Sequence, residues 1–303
     1  SHMPLYMVLE PSSRCNLSCK MCWRSLYKTN RVESDMSYDN FTKVIDKIGD
    51  YLIFVVLWNY GEPLLNPNLD RMIEYCSKKG IITVLSTNGN LLSKERSLGL
   101  FSAGLKYLIV CVDAVTDDIY QKYRGAVKLS EIKNNIVQAC KLRKENKLKF
   151  PVIELQFIVM RENEHQVDDF LLMAYAWGVD RASLKKFSAL LGSGPLDEFM
   201  PLNNNYLLDC YKKPGSIRKG FCFAPWQSLV INSDGWVLPC CSDYFCTEKM
   251  GNILEEDISQ IWNNSRCIKF RRQIKHDINS IDICRDCPHD SGQSGSFVLT
   301  KQF

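Results

Sequence analysis

The sequence predicts an α/β protein: a partial (β/α)6 barrel followed by a smaller module made of a β-hairpin and a helix. Short apolar runs alternate with amphipathic stretches from residue 4 to about 186, which is typical of parallel strands covered by helices. This alternation stops after Lys186, where loop-forming residues take over. We therefore expect two domains, 4–186 and 187–303, in keeping with roughly 150 residues per domain.

The predicted strands of the first part are short segments rich in β-branched and aromatic residues. Between them lies enough chain for the crossover helix that parallel strands require. We expect six strands, at Leu5–Glu10, Leu52–Trp58, Ile81–Ser86, Tyr107–Val112, Ile153–Val159 and Ala182–Lys185. Repeats of this kind can curve into a barrel whose functional face is the carboxyl end of the strands.

The helices between these strands carry start and stop signals. Ser37 stands just ahead of one periodic segment, which Gly49 follows. Ser130 stands ahead of a second segment, and Gly178 follows a third. The predicted helices are Tyr38–Ile48, Asn68–Lys79, Lys94–Ser102, Glu131–Glu145 and Gln166–Trp177.

The second part begins with loop residues such as 192–195. A hairpin is expected from Ser228–Asn232 and Trp236–Leu238 around the turn at Gly235, followed by a helix near Ile258–Arg271 and a cysteine-bearing tail.

Charge and hydropathy exclude several classes of function. Lys and Arg total 38 and Asp and Glu total 34, and the basic residues are scattered, which does not indicate nucleic-acid binding. The longest apolar run, Tyr51–Trp58, is far shorter than the roughly 18 residues of a membrane helix. We expect a cytoplasmic protein with no nucleic-acid or membrane partner.

Cysteine is the residue type that points to chemistry. The chain has 14 cysteines and 4 histidines, and reduced cytosolic thiols favour metal binding over disulfides. Cys15, Cys19 and Cys22 directly follow the first strand. Three thiolates in one short loop can hold three irons of a cubane and leave the fourth open. The alternatives are zinc, which usually needs two C-x2-C arms, and core packing, which does not crowd a polar loop.

This C-x3-C-x2-C loop resembles that of the radical S-adenosylmethionine (SAM) superfamily, whose members cleave SAM reductively to a 5′-deoxyadenosyl radical. The resemblance extends to Tyr60-Gly61-Glu62-Pro63, which is similar to a Gly-Glu-Pro motif that meets the methionine ammonium of SAM. Tyr60 stands where many members have glycine. Further motifs imply cofactor contacts by Ser86 and Asn88 after the third strand, by Asp113 after the fourth, and by Arg124 on the SAM carboxylate.

A second cysteine set lies beyond residue 186. The expected ligands are Cys222, Cys240, Cys284 and Cys287, with Cys241 or Cys246 as possible replacements for Cys240. Four cysteines that include a C-x2-C arm suit an iron–sulfur cluster, and zinc is the alternative. His289 is interpreted as a solvated loop histidine.

The spacing Cys222-x12-Gly235-x4-Cys240 resembles the start of SPASM domains, the auxiliary-cluster extensions of radical SAM enzymes. No cysteine follows Cys287, so the module resembles the shortened twitch form with one auxiliary cluster. Its ligand spacing is similar to that of the twitch dehydrogenases of 2-deoxy-scyllo-inosamine. The resemblance implies two [4Fe–4S] clusters, SAM, and a flavodoxin or ferredoxin as reductant.

The function expected from this combination is oxidation of an alcohol carbon in a small sugar- or cyclitol-like molecule, with the auxiliary cluster as electron acceptor. Lys185, Lys186 and Glu154, near the ends of the sixth and fifth strands, are candidates for the base. Two alternatives stay open. One is peptide or protein modification by epimerisation or cross-linking, which the lack of a leader-binding domain before residue 5 disfavours. The other is a zinc-stabilised binding protein without catalysis.

Overall fold

The computed structural model describes residues 3–27, 31–188, 196–208, 211, 221–285, 287 and 297–303. The loop at 192–195 and His289 lie outside these residues. In the described part, ten strands form one sheet: β1 (Tyr6–Leu9), β2 (Phe54–Val56), β3 (Ile82–Thr87), β4 (Tyr107–Cys111), β5 (Val152–Val159), β6 (Arg181–Lys186), β7 (Ser228–Ile231), β8 (Trp236–Leu238), β9 (Gly251–Asn252) and β10 (Phe297–Gln302). Their order across the sheet is β10-β6-β5-β4-β3-β2-β1-β7-β8-β9.

The strands β1 to β6 pair in sequence order and are all parallel. Each overlaps its predicted segment, and helices fill the connections between them. The predicted partial (β/α)6 barrel is therefore confirmed, with the carboxyl ends of its six strands on one face.

The helices begin and end close to the predicted residues. They are α1 (Trp23–Leu26), α2 (Tyr38–Ile48), α3 (Leu69–Lys78), α4 (Lys94–Ser102), α5 (Asp117–Arg124), α6 (Leu129–Glu145), α7 (Val167–Trp177), α8 (Leu196–Phe199), α9 (Ala224–Gln227), α10 (Ile258–Trp262), α11 (Ser265–Asp277) and α12 (Asp282–Arg285).

Two of the helix signals behave as predicted and one does not. The Ser37 side chain accepts a hydrogen bond from the backbone of Asn40 and caps α2, and Gly178 ends α7 with a φ of 76°. Ser130 is not a cap, because α6 begins at Leu129 with Lys128 as its N-cap.

Several elements were not predicted, among them α5 and β10, and one predicted helix was too long. α5 is a polar helix that buries only one face, and β10 pairs antiparallel with the distant strand β6. The helix expected at Ile258–Arg271 is two helices, because Asn264 caps α11 with its side chain and separates it from α10.

The predicted hairpin is confirmed and extends the barrel sheet. β7 and β8 are antiparallel around a turn at Gly235, whose φ of 85° favours glycine. β7 also pairs parallel with β1, in the register Met7 to Leu229. One continuous sheet therefore joins the barrel to the hairpin.

A large apolar core lies between the sheet and the helices, and a second, smaller cluster lies under the cysteine loop. That cluster consists of Cys19, Met21, Tyr123, Met160, Phe187 and Phe199.

Within the described residues, no helix combines the length and apolar character needed to cross a membrane.

Candidate active site

The carboxyl ends of the barrel strands surround a cavity of about 370 Å³. It brings together most of the residues singled out from the sequence: Cys15, Cys19, Cys22, Tyr60, Gly61, Glu62, Ser86, Asn88, Arg124, Lys185 and Lys186. Two others lie just behind the wall: Pro63 opens a short 3-10 turn after Glu62, and Asp113 contacts Arg124.

The cysteine loop is held from both sides by backbone and amide contacts. The N–H of Lys20 donates to the carbonyl of Tyr123 at 2.9 Å. The Asn16 side chain donates to Asn90 at 2.8 Å and accepts from Asn88 at 2.9 Å. Burial raises the pKa of the Cys15 thiol to about 11, which disfavours the thiolate. A positive charge nearby, such as that of iron, would lower this pKa and favour the thiolate.

Gly61 lies where two loops meet too closely for any side chain. A Cβ built on Gly61 would lie 1.9 Å from the carbonyl oxygen of Ser12 and 2.8 Å from that of Arg14. The next residue, Glu62, donates its backbone N–H to the Arg14 carbonyl at 2.7 Å. The glycine thus lets the loop after β2 pack directly on the loop that leads into the cysteines.

Glu62 is a buried, oriented carboxylate, with 3% of its surface exposed. One oxygen accepts from Leu64 N–H at 3.0 Å and from the Thr87 hydroxyl at 2.8 Å, and the other accepts from Asn88 N–H at 2.9 Å. Burial raises the pKa of Glu62, although these bonds and the Arg124 charge act in the opposite direction. A cation in the cavity would favour the ionised carboxylate.

Arg124 and Asp113 form a buried ion pair at the wall of the cavity. Asp113 also accepts from the backbone N–H of Ile158 at 2.8 Å, while Arg124 Nη1 lies 3.7 Å from Cys19 Sγ. Arg124 Nε is buried without a hydrogen-bond partner among the described residues. Asp113 therefore orients the guanidinium toward the cysteine loop, and one donor stays available for a ligand.

Sequence patterns did not identify two further lining residues, Asn59 and Gln156. Gln156 is 8% exposed and pairs across the sheet with Cys111, whose Sγ lies 3.5 Å from Ser86 Oγ. Gln156 could have been identified from the sequence, because it is a polar residue inside the otherwise apolar part of strand β5. Within the described part of the chain, the Asn59 side-chain nitrogen is buried without an acceptor.

The three candidates for the base do not share one location. Lys185 and Lys186 line the cavity at the end of β6. The expectation that Glu154 lies near the end of the fifth strand is wrong, because this residue is close to the start of β5. Its carboxylate accepts hydrogen bonds from Tyr107 and Ser183, away from the cavity. Alternation along the strand predicts the face of a residue but not its depth in the barrel.

The second cysteine set surrounds the start of β1 and the hairpin. The pKa of Tyr6 in β1 is raised by burial, and the thiols of Cys222, Cys240 and Cys241 act in the same direction. Cys284 and Cys287 are buried, and Cys287 N–H donates to the Cys284 carbonyl at 3.3 Å.

Cys246 has a different environment from these thiols. Its sulfur accepts a hydrogen bond from the side chain of Asn232 at 3.0 Å. Its backbone φ of 55° lies in the left-handed region, which turns the chain sharply at this point.

Tyr60 connects the two cysteine regions. Its hydroxyl donates to the backbone carbonyl of Cys241, and its ring centroid lies 4.6 Å from that of Tyr244 and 5.9 Å from that of Trp23. Trp23 directly follows Cys22. A short chain of contacts thus runs from the first cysteine loop to the second.

The donor chemistry of both regions suits iron–sulfur clusters. Among the described residues, no three Cys, His, Asp or Glu side chains are arranged to hold a single metal ion. A [4Fe–4S] cluster binds each thiolate through a separate iron. Three cysteines around one cavity, together with the unpartnered nitrogens of Arg124 and Asn59, fit a cluster with a polar ligand beside it.

The model of the radical SAM superfamily matches residues 9–174, which is more than half of the chain. The chain belongs to the radical SAM superfamily. A second model, SPASM, described as an iron–sulfur cluster-binding domain, matches residues 222–288. Radical SAM membership brings a [4Fe–4S] cluster and SAM, and the SPASM match brings auxiliary iron–sulfur binding, so the cofactor prediction is confirmed.

Individual relatives differ in what their names describe. The chain is 26% identical to a tungsten-containing aldehyde ferredoxin oxidoreductase cofactor-modifying protein of Pyrococcus furiosus, over 93% of this chain and 86% of the relative. It is 25% identical to a PqqA peptide cyclase of Bradyrhizobium diazoefficiens, over 89% and 76%. The structure of BtrN in complex with AdoMet and 2-DOIA superposes with a TM-score of 0.63 at 21% identity, covering 99% of this radical SAM chain and all of BtrN.

Proposed function

We propose that this radical SAM enzyme is an oxidoreductase that converts an alcohol carbon of a small sugar- or cyclitol-like molecule to a carbonyl. The observation that carries the proposal is the link between the two cysteine regions. Cys15, Cys19 and Cys22 line the cavity, and Cys241 is hydrogen-bonded to the cavity residue Tyr60. An electron acceptor beside the substrate favours net oxidation.

The proposed domains are residues 4–186 as the radical SAM barrel and 187–303 as the twitch/SPASM-like module. We assign Cys15, Cys19 and Cys22 to the SAM-binding cluster. The auxiliary cluster is assigned to Cys222, Cys240, Cys284 and Cys287. Cys240 is preferred to Cys246, because the thiols of Cys240 and Cys222 both act on Tyr6 and so lie on the same side of β1.

Side chains around the cavity have distinct roles in this proposal. Glu62, with Tyr60, Gly61 and Pro63 shaping its loop, holds the methionine ammonium by charge-assisted hydrogen bonding. Asn88 and Ser86 form the polar wall at the end of β3.

Arg124, held by Asp113, lines the cavity, and its guanidinium suits the SAM carboxylate. When bound together, the cluster and SAM supply the hydrogen-abstracting chemistry of the superfamily.

The remaining task is to accept the hydroxyl proton. Lys185 and Lys186 are the candidates that line the cavity, whereas Glu154 is engaged elsewhere. One of these lysines would act as the base while the barrel walls exclude bulk water. The proposed external partners are a small-molecule substrate and a flavodoxin- or ferredoxin-type reductant.

A second candidate function is peptide or protein modification by epimerisation or cross-linking. It is favoured by the similarity to a PqqA peptide cyclase over most of both chains. The zinc-stabilised, non-catalytic alternative loses its basis, because the chain belongs to a superfamily of SAM-cleaving enzymes.

The decisive experiment uses anaerobically reconstituted protein with dithionite and SAM. We expect release of 5′-deoxyadenosine without substrate, and faster release with a polyol or cyclitol that loses two hydrogens, detected by mass spectrometry. A Cys19→Ala variant serves as the control and releases none. Product formation from a peptide panel but from no polyol would replace the first function with the second. No release from iron-loaded protein would contradict both.

A further inference from the structure

Tyr60 is attached at both ends to different parts of the molecule. Its backbone N–H donates to the carboxylate of Glu10 at the end of β1, at 3.3 Å. Its hydroxyl donates to the carbonyl oxygen of Cys241, a residue 181 positions away in the sequence. The side chain therefore spans the distance between the Gly61–Glu62 loop and the segment Cys240–Cys241.

The segment Cys240–Cys241 comes shortly after β8. It lies outside the strands and helices, and the other hydrogen bonds recorded for Cys240 are local. Ser242 N–H donates to its sulfur at 3.3 Å, and Asp243 N–H donates to its carbonyl at 3.3 Å. The Tyr60 hydroxyl thus supplies a long-range tie to the part of the chain that carries a proposed cluster ligand.

The ring of Tyr60 is held in place independently of its hydroxyl. It packs edge-to-face on Tyr244 with centroids 4.6 Å apart, and against Trp23 at 5.9 Å. Removing only the hydroxyl should therefore leave the ring where it is and free the Cys241 carbonyl. This separation makes the role of the hydrogen bond accessible to experiment.

We propose that Tyr60 is a positioning residue of the auxiliary site, whose hydroxyl holds the Cys240–Cys241 segment against the Gly61–Glu62 loop. The inference rests on the proposed ligation of the auxiliary cluster by Cys240. Hydrogen bonding and solvent access around the ligands set the reduction potential of an iron–sulfur cluster. By donating to the Cys241 carbonyl, the hydroxyl offsets the negative partial charge of that oxygen beside the proposed cluster. This favours the reduced form of the cluster, so Tyr60 raises the potential and slows opening of the segment.

The test compares Tyr60→Phe with Tyr244→Phe in the reconstituted holoenzyme. Tyr244→Phe is the matched control, because it also removes a tyrosine hydroxyl from this aromatic cluster. The Tyr244 hydroxyl makes no hydrogen bond to any described residue. The measurements are the midpoint potential of the auxiliary cluster by EPR-monitored titration and the rate of iron loss to a chelator. A third protein carries 3-fluorotyrosine at position 60, which retains the ring and makes the hydroxyl a stronger donor.

We expect Tyr60→Phe to lower the auxiliary midpoint potential and to accelerate iron loss roughly fivefold, as expected for one net hydrogen bond. Tyr244→Phe should match the wild type, and 3-fluorotyrosine should raise the potential. The proposal would be overturned if the two Phe variants had the same midpoint potential and the same rate of iron loss. An unchanged potential with 3-fluorotyrosine would also overturn it. If Tyr60→Phe does not fold, the fluorinated protein alone decides between these outcomes.

Failure of the proposed ligation would look different. Without an auxiliary cluster, wild-type protein would bind about four irons instead of about eight and show no second EPR signal. With another cysteine in place of Cys240 as the ligand, Cys240→Ala would keep about eight irons. Failure of the Tyr60 inference leaves both clusters in place in every variant.

Discussion

The backbone N–H of Asn88 donates to the Glu62 carboxylate at 2.9 Å, so the turn after β3 directly orients the acidic residue that follows β2. The Thr87 hydroxyl reinforces this arrangement at 2.8 Å. Two motifs that are 26 positions apart therefore form one unit, whose negative charge faces the cavity.

Glu62→Gln should weaken SAM binding by about 10- to 100-fold. The substitution removes a charge-assisted hydrogen bond, which contributes about 1.5–3 kcal/mol. Equilibrium binding of SAM to the reconstituted protein measures the effect. Glu131→Gln, an exposed carboxylate on α6, is the control and should bind SAM like the wild type. Equal affinities for the two variants would remove Glu62 from the SAM site.

The pKa of Glu62 also predicts a pH dependence of stability in protein without SAM. Burial raises this pKa above its ordinary value of 4.5, so its contribution to the free energy of unfolding is present below pH 4.5 and lost as pH rises through the raised pKa. Glu62→Gln has no such loss. Urea unfolding should therefore show the variant gaining stability relative to the wild type as the pH rises above 4.5. A constant difference would contradict the prediction.

Replacing one ligand of each cysteine set should remove one cluster at a time. Cys19→Ala and Cys284→Ala should each reduce the iron content from about eight to about four per chain. Only Cys19→Ala should abolish SAM cleavage. Cys140→Ala, a buried cysteine on α6 away from both regions, should retain all the iron. Full iron content in either ligand variant would exclude that residue as a ligand.

Gly61→Ala should disrupt the site through the backbone. Its Cβ would overlap the Ser12 carbonyl oxygen, so the two loops must separate, at a cost of about 3 kcal/mol or more. We expect weak SAM binding and easily lost iron. Gly80→Ala strains a positive φ but meets nothing within 4 Å, so it should lower stability without loss of SAM affinity. Wild-type SAM affinity in Gly61→Ala would contradict the close contact.

Local signals predicted the barrel well, because each strand–helix unit carries its own periodicity and caps. Tyr38–Ile48 and Lys94–Ser102 form helices at the predicted residues. The order of motifs after successive strands also placed most candidate residues around one cavity, since parallel strands end on the same face.

Features that depend on distant partners were harder to predict. The pairing of β10 with β6 and of β7 with β1 joins segments far apart in sequence, and no local pattern specifies such partners. α5 was missed because its exposed face is strongly polar. Glu154 was misplaced because strand alternation does not give the depth of a residue.

The sheet order has a consequence for any shortened form of the chain. β1 and β6 end the barrel run, and β7 and β10, both from beyond residue 186, pair with them. A protein cut after Lys186 would expose two rows of unsatisfied backbone N–H and C=O groups. Such rows recruit strands from other copies, so we expect the truncated protein to aggregate, whereas β9 and β10 form the edges of the sheet in the described structure.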